Sequence, residues 1–274
     1  MKENKNRMYL LVLVLVLGIL HCGIVPLLAA EQFPARKNYP EVTPISTEDL
    51  YKDYMAGNVV VVDVRSKLEY DVIHVTKAKH ISLSNKTFFK QVRDLIAENG
   101  GKKVVFYCNG ITCLKSYEAA KRSLKVGIKN CYVYDAGIPE WAALFSEETL
   151  LLGKTIVDPE KQLIPKSAFK QRVLPFDEFK AKSAATGGMV IDVRDHIQRS
   201  KSLPGLEKAR HITLDRFLKY FVMKQEHQDK TLYIFDQVGK QVKWLQYYLK
   251  DNGYEQYLFL KGGASSVLAK QEYK

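Results

Sequence analysis

Short, nearly unbroken apolar runs alternate along this chain with segments whose apolar positions recur at helical spacing. The runs around Val59–Val62, Val104–Tyr107 and Cys131–Tyr134 are of the first kind. They are rich in β-branched and aromatic residues and show little polar alternation, as strands buried on both faces do. Helices are expected between them over residues 47–55, 88–99 and 114–126. Ser46, three residues ahead of Asp49, resembles a capping box and marks a helix start. Asn99-Gly100-Gly101 and Gly127 mark helix ends. This alternation predicts an α/β fold: a parallel sheet with helices on both sides.

The pattern occurs twice. Val59–Arg65 (VVVVDVR) returns as Gly188–Arg194 (GMVIDVR), His80-Ile81 as His211-Ile212, Lys103–Tyr107 as Thr231–Phe235, and Cys131–Gly137 as Tyr257–Gly263. The offsets stay between 126 and 131 residues. Collinear matches at so steady and so long an offset mean tandem domains and not a solenoid of short repeats. The expected boundaries are 43–146 for the first copy and 175–274 for the second. The stretch 147–174, with Asp158-Pro159, Pro165 and scattered charge, reads as a linker.

Residues 1–30 follow another rule. Lys2, Lys5 and Arg7 precede the apolar run Met8–Leu20; then come Pro26 and the small pair Ala29-Ala30. Charge, apolar core, helix breaker and small residues, in that order, make an export signal. Met8–Ala30 is also long enough to remain as a membrane anchor if left uncut. A lipid-anchored Cys22 is a third option, disfavoured by His21 before it. Each reading puts the remainder outside the cytoplasm, in the periplasm or at the cell envelope, with membrane association through residues 8–30 as one form.

Charge then takes on a narrower meaning. The composition, 46% apolar and 26% charged, is that of a globular protein. The net charge is +12, of which the first 30 residues carry +2. For an exported chain the remaining excess points to anionic lipid, envelope polymers or small anions, and no nucleic-acid partner is expected. A solvated basic surface is the plainest account of all. The cysteines are Cys22, Cys108, Cys113 and Cys131. They form no C-x-x-C pair, so no metal site is expected. Without Cys22 an odd number remains, so at least one is a free thiol or an intermolecular partner. Neither a P-loop nor a dinucleotide fingerprint occurs, and no cofactor is expected.

The chemistry concentrates where the strand ending at Tyr107 runs into Cys108-Asn109-Gly110-Ile111-Thr112-Cys113-Leu114-Lys115-Ser116 and then a helix. Ligands of open α/β sheets bind at this carboxyl edge. Loop N–H groups and a helix N-terminus favour thiolate over thiol, making Cys108 a candidate nucleophile. The plainer alternative is a buried structural cysteine.

These residues resemble the rhodanese family. Asp63-Val64-Arg65, Glu69-Tyr70 and Ile73–Ala78 are similar to its first signature, with Ile73 and Lys77 replacing both glycines. Asp135–Trp141 (DAGIPEW) is similar to its closing signature. Cys108 and Lys115-Ser116 take the first and last places of its active loop. The resemblance covers roughly residues 45–145 and implies two tandem rhodanese-like domains on a parallel α/β sheet. It further implies sulfur transfer: Cys108 takes sulfane sulfur from thiosulfate or a similar small anionic donor and passes it to a thiol or cyanide. Asn109, Gly110, Ile111, Thr112, Cys113, Lys115 and Ser116 would hold the donor. Asp63, Arg65 and Glu69 read as structural support, His74 and His80 as satisfied core groups, Cys131 as core and Trp141 as a packing anchor.

The loop is two residues longer than the commonest rhodanese loop. Phosphatases of this fold also lengthen it, but they need a terminal Arg to clamp phosphate, and Lys115 cannot form that fork. Cys113, five residues after Cys108, could resolve a persulfide or sulfenate into a disulfide; equally it could be a packed residue at the helix start. In the second copy Cys108 maps onto Asp236 and the terminal basic residue onto Gln241, so that copy is expected to be catalytically silent. Two other functions remain open: a thiol redox or persulfide-carrier protein using Cys108 and Cys113, and a non-catalytic envelope binding module. The physiological donor and acceptor and the oligomeric state are not legible.

Overall fold

The structure, a computed structural model, describes residues 32–272. Residues 1–30, expected to be an export signal or anchor, fall outside that range. Among the described residues no helix is long and apolar enough to cross a membrane. The chain divides into two compact units. One runs up to Lys67 and continues over Val75–Phe145; the other combines Leu68–His74 with the chain from Ser146 onward.

In the first unit the elements run β1 (Thr43–Pro44), α1 (Thr47–Met55), β2 (Val59–Asp63), α2 (Lys67–Val72), β3 (Ile73–Val75), β4 (Lys79–His80), α3 (Phe88–Glu98), β5 (Lys103–Tyr107), α4 (Lys115–Lys125), β6 (Cys131–Tyr134) and α5 (Gly137–Leu144). Of these, most of α2 and most of β3 belong with the second unit. The sheet order is β1-β6-β5-β2-β4, parallel throughout.

Because strand side chains alternate, each strand feeds two cores. Val60, Val62, Val104, Phe106 and Val133 pack with Phe88, Val92 and Leu95 of α3 and with Tyr117 and Ala120 of α4. On the other face Tyr134 meets the buried Trp141 of α5, which also contacts Tyr54 of α1 with ring centres 5.2 Å apart. Trp141 is thus a packing residue. The Ser46 hydroxyl oxygen accepts the Asp49 N–H at 3.1 Å, capping α1.

The second unit continues with β7 (Thr149–Leu151), β8 (Lys154–Thr155), α6 (Pro159–Gln162), α7 (Lys166–Gln171), β9 (Val173–Leu174), α8 (Phe176–Ala185), β10 (Met189–Asp192), β11 (Arg210–His211), α9 (Leu214–Phe217), β12 (Leu232–Phe235), α10 (Val242–Asp251), β13 (Tyr257–Leu260) and α11 (Gly263–Glu272). Its sheet is β11-β10-β12-β13-β9, again all parallel. Strand for strand this is the order of the first sheet. The registers agree as well: Phe106 pairs with Val133, and Ile234 pairs with Phe259. Mapping Tyr107 onto Phe235, and so Cys108 onto Asp236, follows from that register.

The stretch 147–174 is more than a connector. It carries β7 and β8, which form a small sheet with β3, two short helices, and β9, the edge strand of the second sheet. Strands of two or three residues are too short to show a period, so composition alone read this stretch as linker.

Candidate active-site loop

Strand β5 ends at Tyr107, and Cys108 opens the loop that leads into α4. Its side chain is 1% exposed. The loop turns at Gly110, where φ is +94° and a Cβ would stand 2.8 Å from the carbonyl oxygen of Ala136. The turn closes through the Cys113 N–H, which donates to the Gly110 carbonyl at 2.8 Å, so that N–H is already committed. Cys113 is half-buried against the core and is joined to Cys108 by a disulfide. Cys108 Sγ also lies 3.2 Å from the Cys113 carbonyl oxygen and 3.4 Å from Ser116 Oγ. Ser116 is fully buried; Ile111, Thr112 and Lys115 are exposed.

A second layer holds the loop from below. Gly137 has φ +67°, and a Cβ there would fall 2.4 Å from the Gly110 nitrogen and 2.5 Å from the Cys108 carbonyl oxygen. Only glycine admits that approach. The neighbouring Ile138 N–H donates to the Cys108 carbonyl at 3.0 Å. Asp63 and Arg65 are both fully buried and paired at 2.6 Å. Arg65 Nη1 then donates to Asn109 Oδ1 at 3.1 Å, tying this ion pair to the residue beside Cys108. His80 Nε2 contacts the Arg65 carbonyl at 3.0 Å, and His74 Nδ1 contacts the Tyr70 carbonyl at 2.6 Å. Glu69 is buried on α2, in the segment that clusters with the second unit. Cys131 is buried in β6, where desolvation pushes its thiol up to about 11.

The second unit repeats this frame around a different residue. Ala264 N–H donates to the Asp236 carbonyl at 2.9 Å, as Ile138 does to that of Cys108, and a Cβ on Gly263 would stand 2.6 Å from that carbonyl oxygen. Asp192 and Arg194 form the equivalent buried pair at 2.7 Å. The Asp236 carboxylate accepts four loop N–H groups, those of Val238, Gly239, Gln241 and Val242. A shorter loop thus wraps its N–H groups around its own anion. Asp236→Ala leaves those donors unfilled. We expect a loss of about 2–4 kcal/mol in denaturant titration, as for removing a buried charged acceptor, with thiosulfate turnover unchanged.

This geometry coincides with a family description. Residues 46–144 match the rhodanese-like domain. A curated relative, the tRNA uridine(34) hydroxylase of Photorhabdus laumondii subsp. laumondii, is 36% identical over 107 residues, covering 36% of this chain and 29% of the relative. The chain therefore spans less than a third of that protein's length. Among solved structures, the BH2092 protein of Bacillus halodurans is 21% identical with a TM-score of 0.36, covering 50% of this chain and 97% of that one. The human single-domain sulfurtransferase TSTD1 is 18% identical with a TM-score of 0.31, covering 37% of this chain and 96% of that one.

Within the matched residues 46–144, the structure gathers Cys108, Asn109, Gly110, Cys113 and Ser116 in one loop, which Asn109 ties to the Asp63–Arg65 pair. Sequence reasoning missed a further cluster behind α4. Tyr117 donates its hydroxyl to Asp135, and Arg36 grips the same carboxylate with bonds of 2.8 and 3.1 Å. Burial and the Asp135 carboxylate hold the Tyr117 hydroxyl well above its ordinary pKa. Tyr39 stacks on Tyr117 and donates to Glu118 at 2.8 Å. The aromatic and basic residues Phe33, Arg36 and Tyr39 ahead of the domain were the available signal, but their spacing has no period that names a partner.

Proposed function

We propose that the rhodanese-like domain is a sulfurtransferase that carries sulfane sulfur on Cys108 and works outside the cytoplasm. The observation that supports it most is the place of Cys108: the carboxyl end of a central parallel strand, at the N-terminus of the eleven-residue helix α4, where the second unit holds an anion. A thiolate formed there gains from the helix dipole. It attacks the sulfane sulfur of thiosulfate; the sulfur–sulfur bond breaks and sulfite leaves. The outer sulfur of the resulting persulfide then passes to a thiol or to cyanide, a two-step covalent reaction. The order of charge and apolar residues over Lys2–Leu20 supports the location. The tRNA hydroxylation in the relative's name belongs to that protein, of which the match covers 29%.

The test is mass spectrometry of the reduced Cys113→Ser protein, whose loop keeps Cys108 as its one thiol, after thiosulfate. A gain of about 32 Da, one sulfur atom, localised to Cys108 is expected; an unmodified Cys108 overturns the reading.

Lys115 is exposed at the start of α4, where the loop that Cys108 opens comes to its end, and its ammonium can attract a small anionic donor. Lys115→Ala should lower kcat/KM for thiosulfate by about 10- to 100-fold, as for one charged contact, while Lys115→Arg keeps most of it. Equal losses in the two variants would assign the residue to helix packing.

A further inference from the structure

The loop of the first unit departs from its counterpart in two linked ways: it is longer by two residues, and it holds a second sulfur. The Cα atoms of Cys108 and Cys113 stand 6.3 Å apart, inside the range that unstrained backbone can bridge. The Gly110 turn and the Cys113 N–H bond to its carbonyl bring the two sulfurs together. Cys131, the free thiol among the described residues, is buried in a strand and raised by desolvation, so it is no competitor. The sulfur that meets Cys113 Sγ is Cys108 Sγ itself, which is the inner sulfur of a persulfide. The outer sulfur would sit a further bond length away, about 2 Å.

We propose, resting on the persulfide reading above, that Cys113 is a second catalytic cysteine that discharges the Cys108 persulfide as hydrosulfide. The Cys113 thiolate attacks the inner sulfur. The Cys108–Cys113 bond forms, the bond to the outer sulfur breaks, and that sulfur leaves as HS⁻. Two electrons pass from the two cysteine sulfurs to the sulfane sulfur, which is reduced to sulfide. The closed Cys108–Cys113 pair is the form that this step leaves behind. An external dithiol restores the site. Its thiolate attacks Cys113, the more exposed of the pair, and Cys108 departs as the thiolate favoured by α4. The second thiol of the dithiol releases Cys113 and leaves the reductant as its disulfide. Summed over the cycle, thiosulfate and a dithiol give sulfite, sulfide and a disulfide, with no cyanide or other sulfur acceptor required.

The experiment is a single turnover. Pre-reduced protein, freed of reductant, receives thiosulfate with no acceptor, and released sulfide and protein mass are followed together. The wild type should release about one sulfide per chain and end about 2 Da lighter than the reduced protein, with Cys108 and Cys113 linked. Cys113→Ser should instead hold about 32 Da on Cys108 and release sulfide at least about 10-fold more slowly; Cys113→Ala repeats the measurement should serine disturb the loop. A wild type that keeps the added sulfur with Cys113 still reduced overturns this step and leaves sulfur transfer standing. Sulfide release from the Cys113 variants at the wild-type rate overturns it as well. Absence of sulfur on Cys108 in every protein overturns both.

Discussion

Cys108→Ser abolishes thiocyanate formation from thiosulfate and cyanide. The expected loss is on the order of 10⁴-fold or more, because the substitution removes the atom that bonds the transferred sulfur. A serine oxygen in the same place keeps the size of the side chain and its contact with Ser116, so folding survives and the loss belongs to chemistry. Cys131→Ser is the control. Its Sγ already lies 3.7 Å from the carbonyl oxygens of Ile128 and Lys129, so a hydroxyl finds an acceptor there. Turnover should stay near the wild-type value. Full activity in Cys108→Ser, or its loss in Cys131→Ser, would move the nucleophile elsewhere. The same assay separates states of the wild type: with the disulfide closed and Cys108 1% exposed, turnover should begin only after reduction by a dithiol.

Asp63→Ala strikes the support under the loop. Arg65 is fully buried, and its Nε, Nη2 and backbone N–H all bond to the Asp63 carboxylate. Removing that carboxylate leaves a buried guanidinium short of its counter-charge, a change that costs about 3–5 kcal/mol. Urea titration of the variant should show a loss of this size, and Asp192→Ala a similar one through Arg194, which sits in the same frame. The two variants part in the sulfur-transfer assay. Only Arg65 reaches the residue next to Cys108, through Asn109, so Asp63→Ala should also lower kcat under conditions where the protein remains folded. Arg194 turns its spare donors to the carbonyls of Gln198 and Lys201, and Asp192→Ala should leave kcat alone. Equal kcat values in the two variants would show that the Asn109 contact does not position the loop.

Much of this protein can be read without coordinates, for a definite reason. The strands β2, β5 and β6 are apolar runs sandwiched between helices, and burial on both faces writes itself into composition. Helices α1, α3 and α4 carry their apolar stripes, residue 46 marks a start and residues 99–101 and 127 mark stops, so the expected ends lie within one residue of those observed. The repeat was legible because both copies bury the same strands in the same register. The position of Cys108 between a strand and a helix followed from that local order alone.

Tertiary structure decided what depends on residues far apart in the chain. The edge strands β1, β4, β9 and β11 have two residues each and exist because a neighbouring strand offers its backbone. The contact from Arg65 to Asn109 bridges 44 residues, and that from Arg36 to Asp135 bridges 99. No periodicity encodes either. A spacing of five residues between two cysteines permits a disulfide or a packed pair equally well. The choice was made by Gly110 turning against the backbone of Ala136 and Gly137, which folds the loop back until the two sulfurs meet. The second unit shows the same division. Its sequence already placed Asp236 where the nucleophile would stand. Only the folded loop, with four N–H groups closed on that carboxylate, shows the anion site filled from within. Local order along the chain determines which elements form and where a reactive side chain emerges, since it acts through burial and backbone preference over a few residues. What that side chain touches is set by packing between segments that the sequence keeps apart.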